Sequence, residues 1–288
     1  RDSSTSRGLG DVYKRQLLWV SEISNPTFNL TIKGGAFMQT NWEKSFYEKQ
    51  FHFINTDIND EDTAYYKEDA QQILEQYGKP FSTVLELGAG RGHVANELAK
   101  AGKQVTTIEL VEEITDYAKL HAHEGVNVLN ADFYQVQLPQ QFDAVLYLDG
   151  FGVGNDADQL RLLERIHHWL TDDGYALIDI YEPNYWQKTA GIEMYVSHDK
   201  KGMRKYGYDE ESRRMTDTWW QVNEPSQYVT QSLACYSPEE INELCKQANL
   251  QIIAYYPSGA MDYDTWTYTE VATLNECWSY RIKVRKKR

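Results

Sequence analysis

The chain has 288 residues, a formal charge of −14, and 41% hydrophobic and 25% charged side chains. No apolar run reaches the roughly 18 residues that cross a bilayer, so a membrane-spanning helix is excluded and a soluble, cytoplasmic enzyme is expected. The acidic excess disfavours a nucleic-acid partner, whose phosphates it repels. The exception is the very end, where Arg281, Lys283, Arg285, Lys286, Lys287 and Arg288 crowd together and read as a solvated, frayed tail. Cys235, Cys245 and Cys277 have no C-x-x-C spacing and support neither a disulfide framework nor a zinc site.

Residues Ser6 to Gln16, SRGLGDVYKRQ, resemble an in-frame translation of a sequencing-library adapter. Leu17 to Phe37 then reads as upstream sequence, with Lys33, Gly34 and Gly35 compatible with a ribosome-binding site ahead of Met38. Residues 1–37 are expected to be a non-native leader and residues 38–288 a single domain. A native arm over 17–37 is the alternative.

In chain order, Asp60 to Tyr77 is polar and helix-compatible, with Ala64, Ile73 and Leu74 spaced to bury one side and Gly78 and Pro80 ending it. A short apolar strand, Thr83 to Leu87, breaks into glycines. His93 to Lys100 restores helical spacing through Val94 and Leu98 until Gly102 stops it. Gln104 to Leu110 reads as a strand, Val111 to His121 as a helix and Val126 to Leu129 as a strand. Phe142 to Leu148 is apolar on both faces, as a central strand covered by helices on two sides must be. Asp156 to Leu170 carries Leu160, Leu163, Ile166 and Leu170 at helical intervals and precedes a fifth strand, Tyr175 to Tyr181.

Strand and helix alternate throughout, and parallel neighbours need a crossover helix. The expected fold is therefore α/β, a Rossmann-like, doubly wound, mostly parallel sheet. After Pro183 the pattern changes. Arg214 to Val222 and Gln227 to Tyr236 are β-rich and flank Asn223 to Ser226, which predicts a hairpin. It falls in an insertion over residues 184–236, expected to form a lid or substrate-binding element. Ser237-Pro-Glu-Glu240 offers a capping box for a helix through Ala248, and Gln251 to Tyr256 reads as the last strand.

Glu86-Leu-Gly-Ala-Gly-Arg-Gly92 joins the first strand to its helix, where free backbone amides suit a ligand. The dinucleotide fingerprint G-x-G-x-x-G requires glycine at position 93, which is His93, so a ligand without a pyrophosphate is favoured. Glu109 ends the second strand, where a carboxylate can accept both hydroxyls of a ribose.

These residues resemble the class I S-adenosylmethionine-dependent methyltransferases, over about residues 84–183. Glu86 to Gly92 matches the family's E-x-G-x-G-x-G loop and Glu109 its ribose acid. Ala131-Asp132-Phe133 matches its adenine contact, and Leu148-Asp149-Gly150-Phe151 the end of its fourth strand. The four matches stand in order at the carboxyl ends of expected strands, the edge at which open α/β sheets bind ligands. The resemblance implies S-adenosylmethionine as cofactor and S-adenosylhomocysteine as product. Gly88 and Gly90 would lie against the methionine portion, Glu109 would hold the ribose, and Asp132 with the Phe133 amide would meet the adenine amino edge. Glu86, Ala89, Gly92, Leu110, Asp149 and Gly150 complete the implied cofactor set. Trp42 and Tyr47 either close over the cofactor or simply pack.

Fold alone does not name the acceptor. Tyr181, Tyr185, Trp186 and Trp219 are expected to contact it, since an aromatic chamber excludes water and can hold a cationic amine by its ring faces. Trp219 and Trp220 are adjacent in a strand and point to opposite faces, so pocket lining and core packing stay open for each. No metal is expected, because methyl transfer from a sulfonium is an in-line displacement assisted by alignment. His167 and His168 read as helix-surface residues, and His121 and His123 lack visible metal-binding partners. Asp149 and Glu182 are the candidate bases, with anchoring of the cofactor's ammonium as the other role for Asp149. The expected activity is methyl transfer to nitrogen or oxygen of a small molecule. RNA or protein methylation and non-catalytic cofactor binding are the alternatives.

Overall fold

The computed structural model describes residues 42–53, 60–196 and 200–288, and the expected leader, residues 1–37, lies outside them. The helices are α1 (Trp42–Phe53), α2 (Asp60–Tyr77), α3 (His93–Lys100), α4 (Glu112–Leu120), α5 (Asp156–Trp169), α6 (Pro183–Thr189) and α7 (Pro238–Gln247). The strands β1 (Thr83–Leu87), β2 (Gln104–Glu109), β3 (Val126–Asn130), β4 (Phe142–Tyr147) and β5 (Leu170–Tyr181) are joined through crossover helices or loops. Then come β6 (Glu193–Tyr195), β7 (Gly202–Asp209), β8 (Arg214–Gln221) and β9 (Glu224–Ala234). After α7 follow β10 (Leu250–Pro257), β11 (Ala260–Asp262), β12 (Thr267–Thr269) and β13 (Ser279–Lys286).

The central sheet has the order β10-β13-β5-β4-β1-β2-β3. Strands β1 to β5 pair in parallel, and β13 runs antiparallel to both β5 and β10. Alternation within the strands sorts the core into two layers. Val84, Leu146 and Leu177 meet Ile73 and Tyr77 of α2 and Leu98 of α3 on one face. Leu85, Val145 and Ile178 meet Leu163 and Ile166 of α5 and Ile241 of α7 on the other. Burial on both faces explains why the central strands read as near-continuous apolar runs. The parallel strands deliver their carboxyl ends, and β13 its amino end, to a single edge.

The expected hairpin exists, but β9 begins at Glu224, so Gln221 pairs with Glu224 across a two-residue turn at Val222 and Asn223. It is part of a larger unit, a four-stranded antiparallel sheet in the order β6-β7-β8-β9. Strands β6 and β7 escaped sequence reading because Glu193, Arg204 and Lys205 interrupt their apolar pattern. Helix α7 opens with the expected capping box, Ser237 accepting from the Glu240 amide and Glu240 Oε2 accepting from the Ser237 amide at 2.8 Å.

The basic tail is a correction. Residues 279–286 form a strand between β10 and β5, well inside the sheet. Tyr280, Ile282 and Val284 alternate with Arg281, Lys283 and Arg285, which is the period of a strand, and the three apolar residues are fully buried. The charged face is used as well. Lys283 donates to the Tyr77 carbonyl at 2.8 Å, and Arg281, 7% exposed, pairs with Asp179 directly across on β5 at 2.7 Å and with Asp69 of α2 at 3.4 Å. Arg281→Met strands both carboxylates in the interior and is expected to cost about 3–5 kcal/mol in chemical denaturation. A loss below about 1 kcal/mol would mean that these carboxylates are solvated.

Candidate active site

The loop after β1 depends on glycine. Gly88, Gly90 and Gly92 hold φ of 61°, 54° and 76°, a region that side-chain-bearing residues rarely adopt. The Gly90 amide donates to Glu109 Oε2 at 2.9 Å, and the Gly92 amide turns back to the Ala89 carbonyl at 2.9 Å. A Cβ built on Gly90 meets no atom of the described residues within 4 Å, so among them the loop presents bare backbone to open space. Tyr147, at the end of β4, supplies the floor. Its ring lies 3.5 Å from a Cβ on Gly88 and 2.7 Å from one on Gly150, which is why position 150 must be glycine. Sequence reading missed Tyr147, taking it for one more apolar residue of a central strand.

Glu109 is 7% exposed, and its second oxygen accepts from the Val111 amide at 2.9 Å. Burial raises its carboxyl above the usual range against these backbone donors. Each oxygen keeps a further lone pair for a ligand hydroxyl. Beside it, Leu110 is 38% exposed, an apolar face at the tip of β2. Past β3, Asp132 accepts from the Tyr134 amide and the Gln135 side chain, both at 2.7 Å, which fixes the turn that carries Phe133. The Phe133 ring stands 5.3 Å from that of Tyr147.

Asp149 follows β4 with φ of 50°, and its amide donates to Asp179 Oδ2 at 3.3 Å. Tyr181 donates to Asp149 Oδ1 at 2.5 Å. Burial, reinforced by the Asp179 charge and opposed by the Tyr181 hydrogen bond, pushes the Asp149 carboxyl up to about 6. Two tyrosines share its field. Burial and the carboxylates of Asp149 and Glu109 hold the Tyr47 hydroxyl of α1 protonated, and burial with Asp69 and Asp149 does the same for Tyr65 of α2. Tyr65, Asp69, Gln72 and Gln76 form the stripe of α2 that faces this edge, whereas Ala64 is exposed and Leu74 half-buried. Here a cavity of about 420 Å³ opens from Leu148 and Asp149 past Asp179 and Arg281 to Tyr255, Tyr256 and Pro257.

Other expected site residues have different surroundings. Glu182 is fully buried as the N-cap of α6, accepting from the Tyr185 amide and the Asn184 side chain at 2.8 Å each, so its carboxylate is engaged in structure. Tyr185 and Trp186 sit in a buried cluster with Met194, Tyr206 and Met215, and the Trp186 indole donates to the Trp278 carbonyl at 2.8 Å. Trp219 turns inward, its indole donating to Asp217 at 2.8 Å and its ring packing edge-on to Phe46 of α1. Trp42 packs edge-on to the same Phe46. None of these aromatic residues borders the cavity, whose lining includes Tyr65, Tyr255, Tyr256 and Trp278.

A family profile described as Methyltransferase domain matches residues 59–255. The chain belongs to this family. Its fold matches that of a solved S-adenosylmethionine-dependent methyltransferase of Clostridium acetobutylicum, with a TM-score of 0.61 at 13% identity, covering 85% of this chain and 98% of that one. It is 28% identical over 131 residues to an uncharacterized methyltransferase of Bacillus cytotoxicus, covering 44% of this chain and 62% of that one. It is 38% identical over 73 residues to an rRNA adenine N-6-methyltransferase of Escherichia coli, covering 24% and 30%. The chain thus spans less than two thirds of either relative. The solved structure of a sugar N-methyltransferase from Streptoalloteichus superposes with a TM-score of 0.58 at 15% identity, covering 91% of this chain and 99% of that one.

S-adenosylmethionine fits the methyltransferase's residues on two counts. The open space at Gly90 admits a ligand against bare backbone, and Glu86 Oε2, on a residue 4% exposed, has no hydrogen-bond partner among the described residues. A buried oxygen of this kind suits a cationic donor, which the cofactor carries as its ammonium. Burial, aided by the Asp69 charge, pushes the Glu86 carboxyl up to about 8 from an ordinary 4.5. The folded, ligand-free enzyme therefore retains a proton that the unfolded chain releases, and its stability falls as pH rises from about 4.5 to 8. Glu86→Gln should remove that slope and gain on the order of 3 kcal/mol at pH 9 in denaturant titrations. An unaltered slope in the variant would trace the pH dependence to other groups.

Proposed function

We propose that this methyltransferase acts on a nitrogen or oxygen of a small molecule, with Asp149 at the boundary between cofactor and acceptor. The observation that carries this reading is the cavity beyond Asp149. The glycine loop, Glu109 and Asp132 occupy the tips of β1, β2 and β3, whereas the cavity follows the tips of β5, β13 and β10, and β4 with Asp149 stands between the two halves. At about 420 Å³ the cavity has the size of a small-molecule site.

The four-stranded sheet serves in this reading as the lid expected over residues 184–236, and α1 joins it through the contact of Phe46 with Trp219. Tyr47, in the field of Asp149 and Glu109, closes over the cofactor. S-adenosylmethionine supplies the methyl group. The chain's own part is to align the acceptor, exclude water and take up its proton at Asp149. An RNA acceptor is disfavoured by the charge of −14 and by the fate of the basic end, where Arg281 and Lys283 are absorbed into the fold and Lys286 and Arg288 pair with Asp172 and Asp173. In the test, a low-mass metabolite extract stimulates S-adenosylhomocysteine formation and purified RNA and protein do not. Stimulation by RNA or protein alone would refute the proposal.

A further inference from the structure

We infer that the acceptor is an amine, bound as its ammonium ion in the cavity between α2 and the tips of β5, β13 and β10. This rests on the small-molecule reading above and adds the chemical class. The cavity wall carries the carboxylates of Asp69, Glu75, Asp149 and Asp179 against Arg281, the one cationic side chain among the described residues that line it. That cation is committed. Its Nε lies 2.7 Å from Asp179 Oδ1, and its Nη2 lies 3.1 Å from Asp179 Oδ2 and 3.4 Å from Asp69 Oδ1. Arg281 therefore offsets only part of the charge beside it, and the space in front of the wall is negative.

An anionic acceptor is repelled from such a space, and a neutral alcohol gains only hydrogen bonds there, without the Coulomb attraction that a cation adds. A metal ion is a poor occupant, because among the described residues no three carboxylate, histidine or cysteine side chains stand close enough to hold one. The rings of Tyr65, Tyr255, Tyr256 and Trp278 share the wall with the acids. Aromatic faces combined with carboxylates recognise an organic ammonium, which rings attract by about 0.5–2 kcal/mol each.

The position also meets the chemical requirement. An ammonium has no lone pair until it loses a proton, and the Asp149 oxygen that Tyr181 does not bond accepts that proton. The freed nitrogen pair then forms the C–N bond as the C–S pair returns to sulfur. Ammonium, sulfonium and carboxylate thereby become N-methylammonium, thioether and carboxylic acid, with net charge conserved.

Calorimetry on enzyme loaded with S-adenosylhomocysteine tests this with tyramine, its alcohol tyrosol and the acid 4-hydroxyphenylacetate, which share a phenol ring and differ in charge. Tyramine is expected to bind at least about tenfold more tightly than tyrosol, with no heat from the acid. The substitution Glu75→Gln should weaken tyramine several-fold and leave S-adenosylhomocysteine affinity unaltered. Equal binding of tyrosol or the acid, or no binding of tyramine to the loaded enzyme, overturns the inference alone. Failure of S-adenosylhomocysteine itself to bind strikes the methyl-transfer reading beneath it.

Discussion

Replacing Gly90 by leucine abolishes S-adenosylmethionine binding, a loss of at least about 100-fold, or roughly 2.7 kcal/mol, in calorimetry. Two separate effects have to be distinguished. The φ of 54° costs any L-residue about 1–2 kcal/mol of backbone strain, which acts on folding. A Cβ there meets no atom of the described residues within 4 Å, so the side chain is not expelled by them and instead fills the space a ligand needs. Gly102 is the control. It holds φ of 82°, also with nothing within 4 Å of a Cβ, and lies beyond the far end of α3. Gly102→Leu should carry similar strain and keep cofactor affinity. If Gly90→Leu bound as well as Gly102→Leu, the glycine loop would not be the cofactor cradle.

Legibility from sequence followed locality. The parallel strands β1 to β4 were recognisable because each is a short apolar run bounded by glycine or charge, and the glycine loop and the carboxylates at their tips were recognisable with them. Glu86, the loop glycines, Glu109 and Asp149 all lie on or next to a strand end, so a residue's position along the chain already specifies its position on the edge. The cavity has no such shortcut. Tyr65 and Asp69 come from α2, Asp179 from β5, Tyr255 from β10 and Arg281 from β13, and only the pairing of β13 between β10 and β5 brings them together. Arg281 looked like part of a solvated tail because composition outweighed alternation in a segment of six basic residues. Glu182 looked like a base because it follows a strand, yet Pro183 after it signals a helix start and hence a cap.

Asp149→Asn is the second substitution with a large expected effect, because it removes the proposed proton acceptor while keeping the shape and one hydrogen-bonding oxygen. Its carboxyl, pushed up to about 6, is ionised at neutral pH and protonated below that. Wild-type kcat/KM should therefore fall as pH drops through about 6, and the variant should lose that limb of the profile. In the proposed reading Glu86, whose buried oxygen has no hydrogen-bond partner among the described residues, receives the cofactor's ammonium, and Asp149 is left to the acceptor.

Single-turnover transfer by Asp149→Asn at saturating S-adenosylmethionine, measured beside cofactor affinity, tests the boundary role of Asp149 most directly. The acceptor is the metabolite fraction that supports wild-type turnover. The predicted result is a fall in transfer of roughly 10² to 10⁴ with cofactor affinity within a few fold of wild type. A large loss of cofactor affinity with transfer preserved would contradict it and make Asp149 the cofactor's anchor.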